Sequence, residues 1–422
     1  MTLRFSLPTA TRAFLLGLGL LLLATGCGGG GGGAASPPPP PDSPKPTVVL
    51  VEIVDNDPDE VLDTIEDVVE DTGATYLGQV DGTTFHRFEL PASLSPEAFF
   101  ALVDDDVRIT DREEDVDLSS PEGGGATIPL GGELFASAVA QQPELMRIGL
   151  AAAHTRVTGA GVRVAVLDTG IDPDHPLLVG HVGRGGHDFL DGDDDPRYEP
   201  NGRDDDGDGL IDEGRGHGTF VASLVLAVAP GAEIIPYRVL DSDSRGKASS
   251  LAEAIVMAAD TGVDVINLSA GMPSRVQVVK DAVQYARNMG ILVVASAGNT
   301  GTRSVTFPAS LGDGMSVTSV DPTDVLSDFA SFGDDVDLSA PGHELIGAFP
   351  NALGAVRWSG TSFSAALVSG AFALVREASP GMDAEHIVSH LRDTSADVRG
   401  LNPGRDGDMG EGRLDLDAAT AP

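Results

Sequence analysis

Cysteine is nearly absent: Cys27 is the only one among 422 residues, so no disulfide can form within the chain in any compartment. Basic side chains are scarce as well. Lys and Arg number 26 against 65 Asp and Glu, a formal net charge of −39. No cluster of Lys or Arg interrupts that excess, which argues against nucleic acid as a partner. The acid serves first to keep the surface solvated, with metal loops or a salty environment as other uses. Apolar runs are short. The one at the start, Ala13 to Leu23, falls below the length of a comfortable membrane-spanning helix.

What is present begins with that run. Arg4 and Arg12 precede it and Ala24-Thr25-Gly26-Cys27 closes it, the order of a secretory signal peptide. The cysteine directly after Gly26 makes residues 1–27 resemble a bacterial lipoprotein leader, although Ala24 stands where such leaders prefer Leu. That resemblance implies lipidation of Cys27, a membrane anchor, and a cell-envelope (outer membrane or surface) or secreted location. Residues 28–46, with Gly28 to Gly33 and Pro37 to Pro41, cannot bury a core and read as a tether.

Residues 47–118 change character. Thr47 to Val54 reads as a strand, and Asp57 followed by Pro58 starts a helix that runs to about Glu70. Strand Thr84 to Leu90, helix Pro96 to Val103 and strand Val107 to Val116 complete a small α+β unit. Residues 119–141 are Gly-rich and read as a loose, protease-sensitive linker.

The large domain, 142–422, alternates strand and helix. Val162 to Leu167, Glu233 to Val239, Val263 to Leu268 and Ile291 to Ala295 are apolar strands, with helices at Ser249 to Thr261 and Val276 to Met289. This order predicts an α/β fold, a doubly wound and mostly parallel sheet with helices on both faces. Polar groups gather at strand ends, where such sheets build sites. The first strand delivers Asp168-Thr169-Gly170. Others end in Asn267-Leu268-Ser269-Ala270-Gly271 and Ser296-Ala297-Gly298-Asn299, and the Asn299 amide is a candidate donor to an oxyanion. His217 is the only one of nine histidines with glycine on both sides. Gly360-Thr361-Ser362 precedes an apolar run and places a serine at a helix N-terminus, where unpaired N–H groups favour negative charge.

Between Asp168 and His217 lies an acidic insert. Asp204, Asp206 and Asp208 alternate, Gly209 permits a sharp turn, and Asp212 and Glu213 follow. Oxygen ligands at this spacing suit a hard cation such as Ca²⁺, with Asp212 as a further ligand. The twelfth position is Arg215, so the loop is not an EF-hand.

Asp168, His217 and Ser362, in that order and each in a glycine-containing motif, resemble the subtilisin-like serine proteases over about Gln142 to Ala419. The resemblance implies Ser362 as nucleophile, His217 as general base and then acid, Asp168 orienting the imidazole, and Asn299 donating to the oxyanion. It implies that Ser269, Ala270 and Gly271, with Ala295, Ser296 and Ala297, wall the pocket before the scissile bond and offer backbone groups to an extended peptide. It gives residues 47–118 the part of a propeptide that assists folding and inhibits until cleaved, and it gives the acidic insert a structural Ca²⁺. Protein or peptide substrates and a monomeric state are expected. Phe363 and Ala366-Leu367 depart from the family's Met and Pro-His. A silent protease-like binding module and a calcium-stiffened surface protein are the competing readings.

Overall fold

A computed structural model of the chain describes residues 46–55, 57–122, 139–350 and 354–422, with backbone only at 128–130. The leader with Cys27 and the tether up to residue 45 lie outside these. Among the described residues no helix is long and apolar enough to cross a membrane.

The N-terminal unit is a four-stranded antiparallel sheet under two helices. β1 (Val48–Ile53), α1 (Pro58–Thr72), β2 (Thr75–Gln79), β3 (Phe85–Glu89), α2 (Pro96–Val103) and β4 (Ile109–Glu114) follow in turn, and the strand order is β2-β3-β1-β4. Asp57 accepts from Asp59 N and caps α1, Pro58 sits in its first turn, and Gly73 closes it at φ 68°. Ser95 caps α2 in the same way. Because side chains alternate along a strand, β1 serves two cores. Val49, Val51 and Ile53 pack with Ile65, Val68, Phe88 and Phe99 of this unit. Leu50 points the other way, into a cluster that includes Leu118, Phe85 and Leu251.

That second face docks the unit on the large domain, and its acids finish the contact. Glu113 accepts from Gln277 N and Val278 N at 2.7 and 2.9 Å, and Asp115 accepts from Ser249 N and Oγ at 3.0 and 2.8 Å. Two helix N-termini of the large domain thus receive carboxylates where unpaired N–H groups and the dipole favour them. Burial nevertheless pushes the Glu113 carboxyl up to about 7, against those hydrogen bonds.

Of the expected linker 119–141, residues 123–127 and 131–138 lie outside the described residues, and the described ones include stretches paired to the large domain. β5 (Asp117–Ser119) pairs antiparallel with residues Arg245–Lys247, Ser120 N donates to Ser244 O at 3.1 Å, and the strand segment β6 (Ile128–Leu130) pairs with residues Ala355–Arg357. Glycine-rich composition does not forbid order when a neighbouring sheet edge supplies the hydrogen bonds.

The large domain is built on seven parallel strands. β7 (Arg163–Asp168), β8 (His187–Asp188), β9 (Glu233–Arg238), β10 (Arg245–Lys247), β11 (Val265–Leu268), β12 (Leu292–Ser296), β13 (Met315–Val320) and β14 (Leu338–Pro341) follow along the chain. All but β10 form one sheet, ordered β14-β13-β12-β11-β7-β9-β8. Helices His217–Val228 and Thr361–Ala378 cover one face with Val164 and Val166 of β7. Helices Ala248–Asp260 and Gln277–Asn288 cover the other with Ala165 and Leu167. Burial on both faces is why these strands read as continuous apolar runs rather than alternating ones.

Candidate active site

β7 ends on Asp168, which is fully buried and opposes Arg238 of β9. Helix His217–Val228 starts at the same level, so His217 faces this carboxylate. The approach requires glycine. A Cβ on Gly218 would lie 2.3 Å from Gly170 O, and Gly216 caps the helix at φ 76°. His217 Nδ1 lies 2.8 and 3.0 Å from the two Asp168 oxygens. The ring is fully buried, edge-on to Trp358 at 5.4 Å and beside Phe363 at 5.6 Å. Phe363, where the family has Met, is part of this wall, and its ring lies 4.4 Å from that of Phe220.

Ser362 is the second residue of helix Thr361–Ala378 and is fully buried. With Ala366-Leu367 in place of the family's Pro-His, that helix runs over 18 residues. Asn299 Oδ1 accepts from Thr361 N at 3.0 Å and Thr361 Oγ1 at 2.9 Å, which fixes its amide so that Nδ2 points to the site. Asp168, His217, Ser362 and Asn299, far apart in sequence, therefore converge.

A fifth residue joins them that nothing in the sequence singles out. Glu122, 4% exposed, places Oε2 2.7 Å from Ser362 Oγ and 3.0 Å from His217 Nε2, and Oε1 3.1 Å from both Ser362 N and Asn299 Nδ2. Four donors thus meet one carboxylate. Ser119-Ser120-Pro121-Glu122-Gly123 reads as an ordinary turn; only the placement of β5 brings the acid here. Burial pulls the His217 imidazole pKa down, but the Asp168 charge and hydrogen bond and then Glu122 outweigh it and push it up to about 10.

The wall residues take two kinds of place. Gly271 exchanges both backbone hydrogen bonds with Ser119, at 3.0 and 2.9 Å, as an added strand would. Ser269 O accepts from Ser362 Oγ at 3.3 Å, and Ala270 is buried beside them. Ala295, Ser296 and Ala297 are buried too, but Ala297 N donates to Val317 O and Ala297 O accepts from Thr306 N. The expectation that both walls offer backbone groups is corrected on this side, because the sheet and the loop before Phe307 already use them.

In the acidic insert, Asp204, Asp206 and Asp208 bring one oxygen each to within 4.8 Å of the others. Asp212 does not join them; it accepts from Asn201 N at 3.0 Å and from Gly202 N. Glu213 Oε2 and Asp243 Oδ1 are buried with no hydrogen-bond partner. Desolvation, and then Asp208, Asp206, Asp243 and Asp204, push the Glu213 carboxyl up to about 7. Orphaned carboxylate oxygens beside three convergent ones fit a hard cation. Arg245 of β10 pairs with Asp206 at 3.0 Å and opposes Ser119, so the insert braces the strand that holds β5.

Comparison with known proteins agrees with the geometry. The model of the subtilase family, Peptidase_S8, matches residues 159–412. Subtilisin BL of Lederbergia lenta is 36% identical over 286 residues, covering 65% of this chain and 97% of that protein. An alkaline protease of Alkalihalobacillus alcalophilus is 32% identical over 382 residues, 86% of this chain and 90% of its own length. Among solved structures, fervidolysin of Fervidobacterium pennivorans, described as a keratinolytic enzyme related to subtilisin, superposes with a TM-score of 0.72 at 22% identity. That match covers 90% of this chain and spans 61% of the fervidolysin chain.

Proposed function

The chain belongs to the subtilase family and is a subtilisin-like serine endopeptidase, and from that premise we propose the residues and steps by which it works. Ser362 Oγ attacks the peptide carbonyl carbon while His217 Nε2 takes its proton; Asp168 holds Nδ1–H and stabilises the cation. Ser362 N and Asn299 Nδ2 donate to the oxyanion as it forms. His217 then gives the proton to the departing amine, leaving an acyl-enzyme that water, deprotonated by the same imidazole, hydrolyses. The observation that carries the reading is the meeting of Ser362 Oγ and His217 Nε2 on one oxygen, 2.7 and 3.0 Å away, with Asp168 on the far side of the ring. Processed protein should hydrolyse unfolded casein, and a sulfonyl fluoride should stop it. Casein left intact by folded, processed protein would contradict the assignment and favour a silent binding module.

Residues 47–118 act, on this proposal, as a propeptide that inhibits until the chain cuts itself; the exported precursor is anchored through lipidated Cys27, and the cut frees a monomeric enzyme from that anchor. The substrate pocket favours apolar or aromatic side chains. Ala270, Gly271 and Ala297 are small, and Asp313 is held by Arg287 at 2.7 Å. A peptide-library profile should show that preference at the residue before the cut; dominance of Lys or Arg would contradict it.

Ca²⁺ is proposed at Asp204, Asp206 and Asp208, with Glu213 and Asp243 as neighbours able to complete the set. The cation would relieve repulsion among close carboxylates and fix the segment that leads into His217. At a hundred times its dissociation constant it would stabilise by about 2.7 kcal/mol, roughly 3–5 °C in melting temperature for a domain of this size. Melting in EDTA should fall by that order and recover with Ca²⁺ but poorly with Mg²⁺, which demands a tighter octahedron. An unchanged melt would reduce the insert to a solvated acidic loop.

A further inference from the structure

Glu122 is not part of any step above, yet it occupies the place where they happen. Its Oε1 accepts from Ser362 N and Asn299 Nδ2, both at 3.1 Å, the two donors to which the reaction would bring its oxyanion. Its Oε2 takes the Ser362 hydroxyl at 2.7 Å and His217 Nε2 at 3.0 Å. The cradle is shaped for it: a Cβ on Gly360 would come within 1.9 Å of Oε1. The imidazole has Asp168 oxygens on one nitrogen and a Glu122 oxygen on the other, and Trp358 and Phe363 against its ring. An ionised carboxylate accepts and does not donate, so between two ionised carboxylates both ring nitrogens carry protons.

We propose that Glu122 is an anionic plug of the catalytic centre, a side-chain carboxylate that sits in place of the oxyanion and holds His217 as an imidazolium until it is withdrawn. A doubly protonated ring cannot take the serine proton, and a carbonyl cannot enter a site already filled by a carboxylate. The inhibition therefore lies in one side chain, beyond whatever the docked N-terminal unit contributes by covering the cleft. The inference rests on the protease reading, because the plug has meaning only where Ser362 and His217 react.

The test uses the full chain, with and without Glu122→Gln or Glu122→Ala, pulsed with a fluorophosphonate and separated by mass into unprocessed and processed bands. In labelling, Ser362 Oγ bonds to phosphorus, fluoride leaves, and His217 Nε2 takes the proton. The unprocessed wild-type band should label about tenfold or more slowly than the unprocessed variant bands, since charge-assisted hydrogen bonds are the strong ones. Equal labelling, with the processed band reactive, would overturn the plug. An unreactive processed band would overturn the protease reading instead. Melting curves establish that the variants fold. In a second measurement, the ¹⁵N resonances of His217 in a Ser362→Ala precursor at pH 8 should report a doubly protonated ring. Adding Glu122→Gln should make it singly protonated. A singly protonated ring with Glu122 in place would also overturn the proposal.

Discussion

Ser362→Ala is expected to leave a folded protein that hydrolyses casein about 10⁶-fold more slowly, a magnitude taken from subtilisin rather than derived from this geometry. The substitution removes one oxygen from a fully buried position at the start of a helix whose next residues, Phe363, Ala365 and Ala366, are buried by apolar packing. That oxygen donates only to Glu122 and to Ser269 O, so the fold keeps its framework without it. What disappears is the nucleophile. The same variant should accumulate as the unprocessed chain, since on this account the N-terminal unit is cut away by Ser362 itself. Initial rates on a casein or peptide substrate, and the mass of the purified protein, read both outcomes. Near wild-type turnover would assign the chemistry to another residue. Normal processing in a protease-free host would show that maturation is not self-cleavage.

Asp168→Asn is expected to lower turnover by about 10⁴-fold while changing the structure little. The carboxylate accepts Nδ1–H of His217 and, through Oδ1, Thr169 N at 2.7 Å. An amide of the same shape can present N–H to the ring. That favours the proton on Nε2, where it blocks the acceptance of the serine proton. The imidazolium that forms during reaction also loses its counter-charge in a fully buried site, where the interaction is strong. Burst kinetics on an ester substrate would show slow acylation with unaltered substrate affinity. A loss below tenfold would mean that Asp168 only terminates its strand.

The site was legible in the sequence to the extent that its backbone is crowded. Asp168, His217, Asn299 and Ser362 each lie beside glycines, and the packing explains it: Gly170 meets Gly218, and Gly298, at φ 105°, donates its N–H to Thr361 Oγ1 at 3.1 Å. Strands β7, β9, β11 and β12 were legible because burial on both faces makes them continuously apolar, whereas β8 is two residues long and β14 ends in Ser339-Ala340-Pro341. β13 was not, since Ser316, Thr318 and Ser319 interrupt it, and two of these are accommodated by local bonds, Thr318 Oγ1 to Ser331 O and Ser319 Oγ to Ser327 Oγ. Glu122 was hidden for a different reason. Its position depends on β5 lying along β10 and Gly271, a pairing of residues more than a hundred apart, and its local composition is that of a linker. Asp212 has the spacing of a ligand, but its backbone, at φ 52°, turns the carboxylate onto Asn201 and Gly202.

Ser362 is the nucleophile on which the proposed mechanism of this protease turns. The direct measurement is to inactivate the processed enzyme with a fluorophosphonate, digest it and locate the adduct by mass spectrometry. One adduct per chain is expected, on Ser362, with loss of casein hydrolysis in proportion to labelling. An adduct on another residue, or full labelling of Ser362 with activity retained, would contradict it.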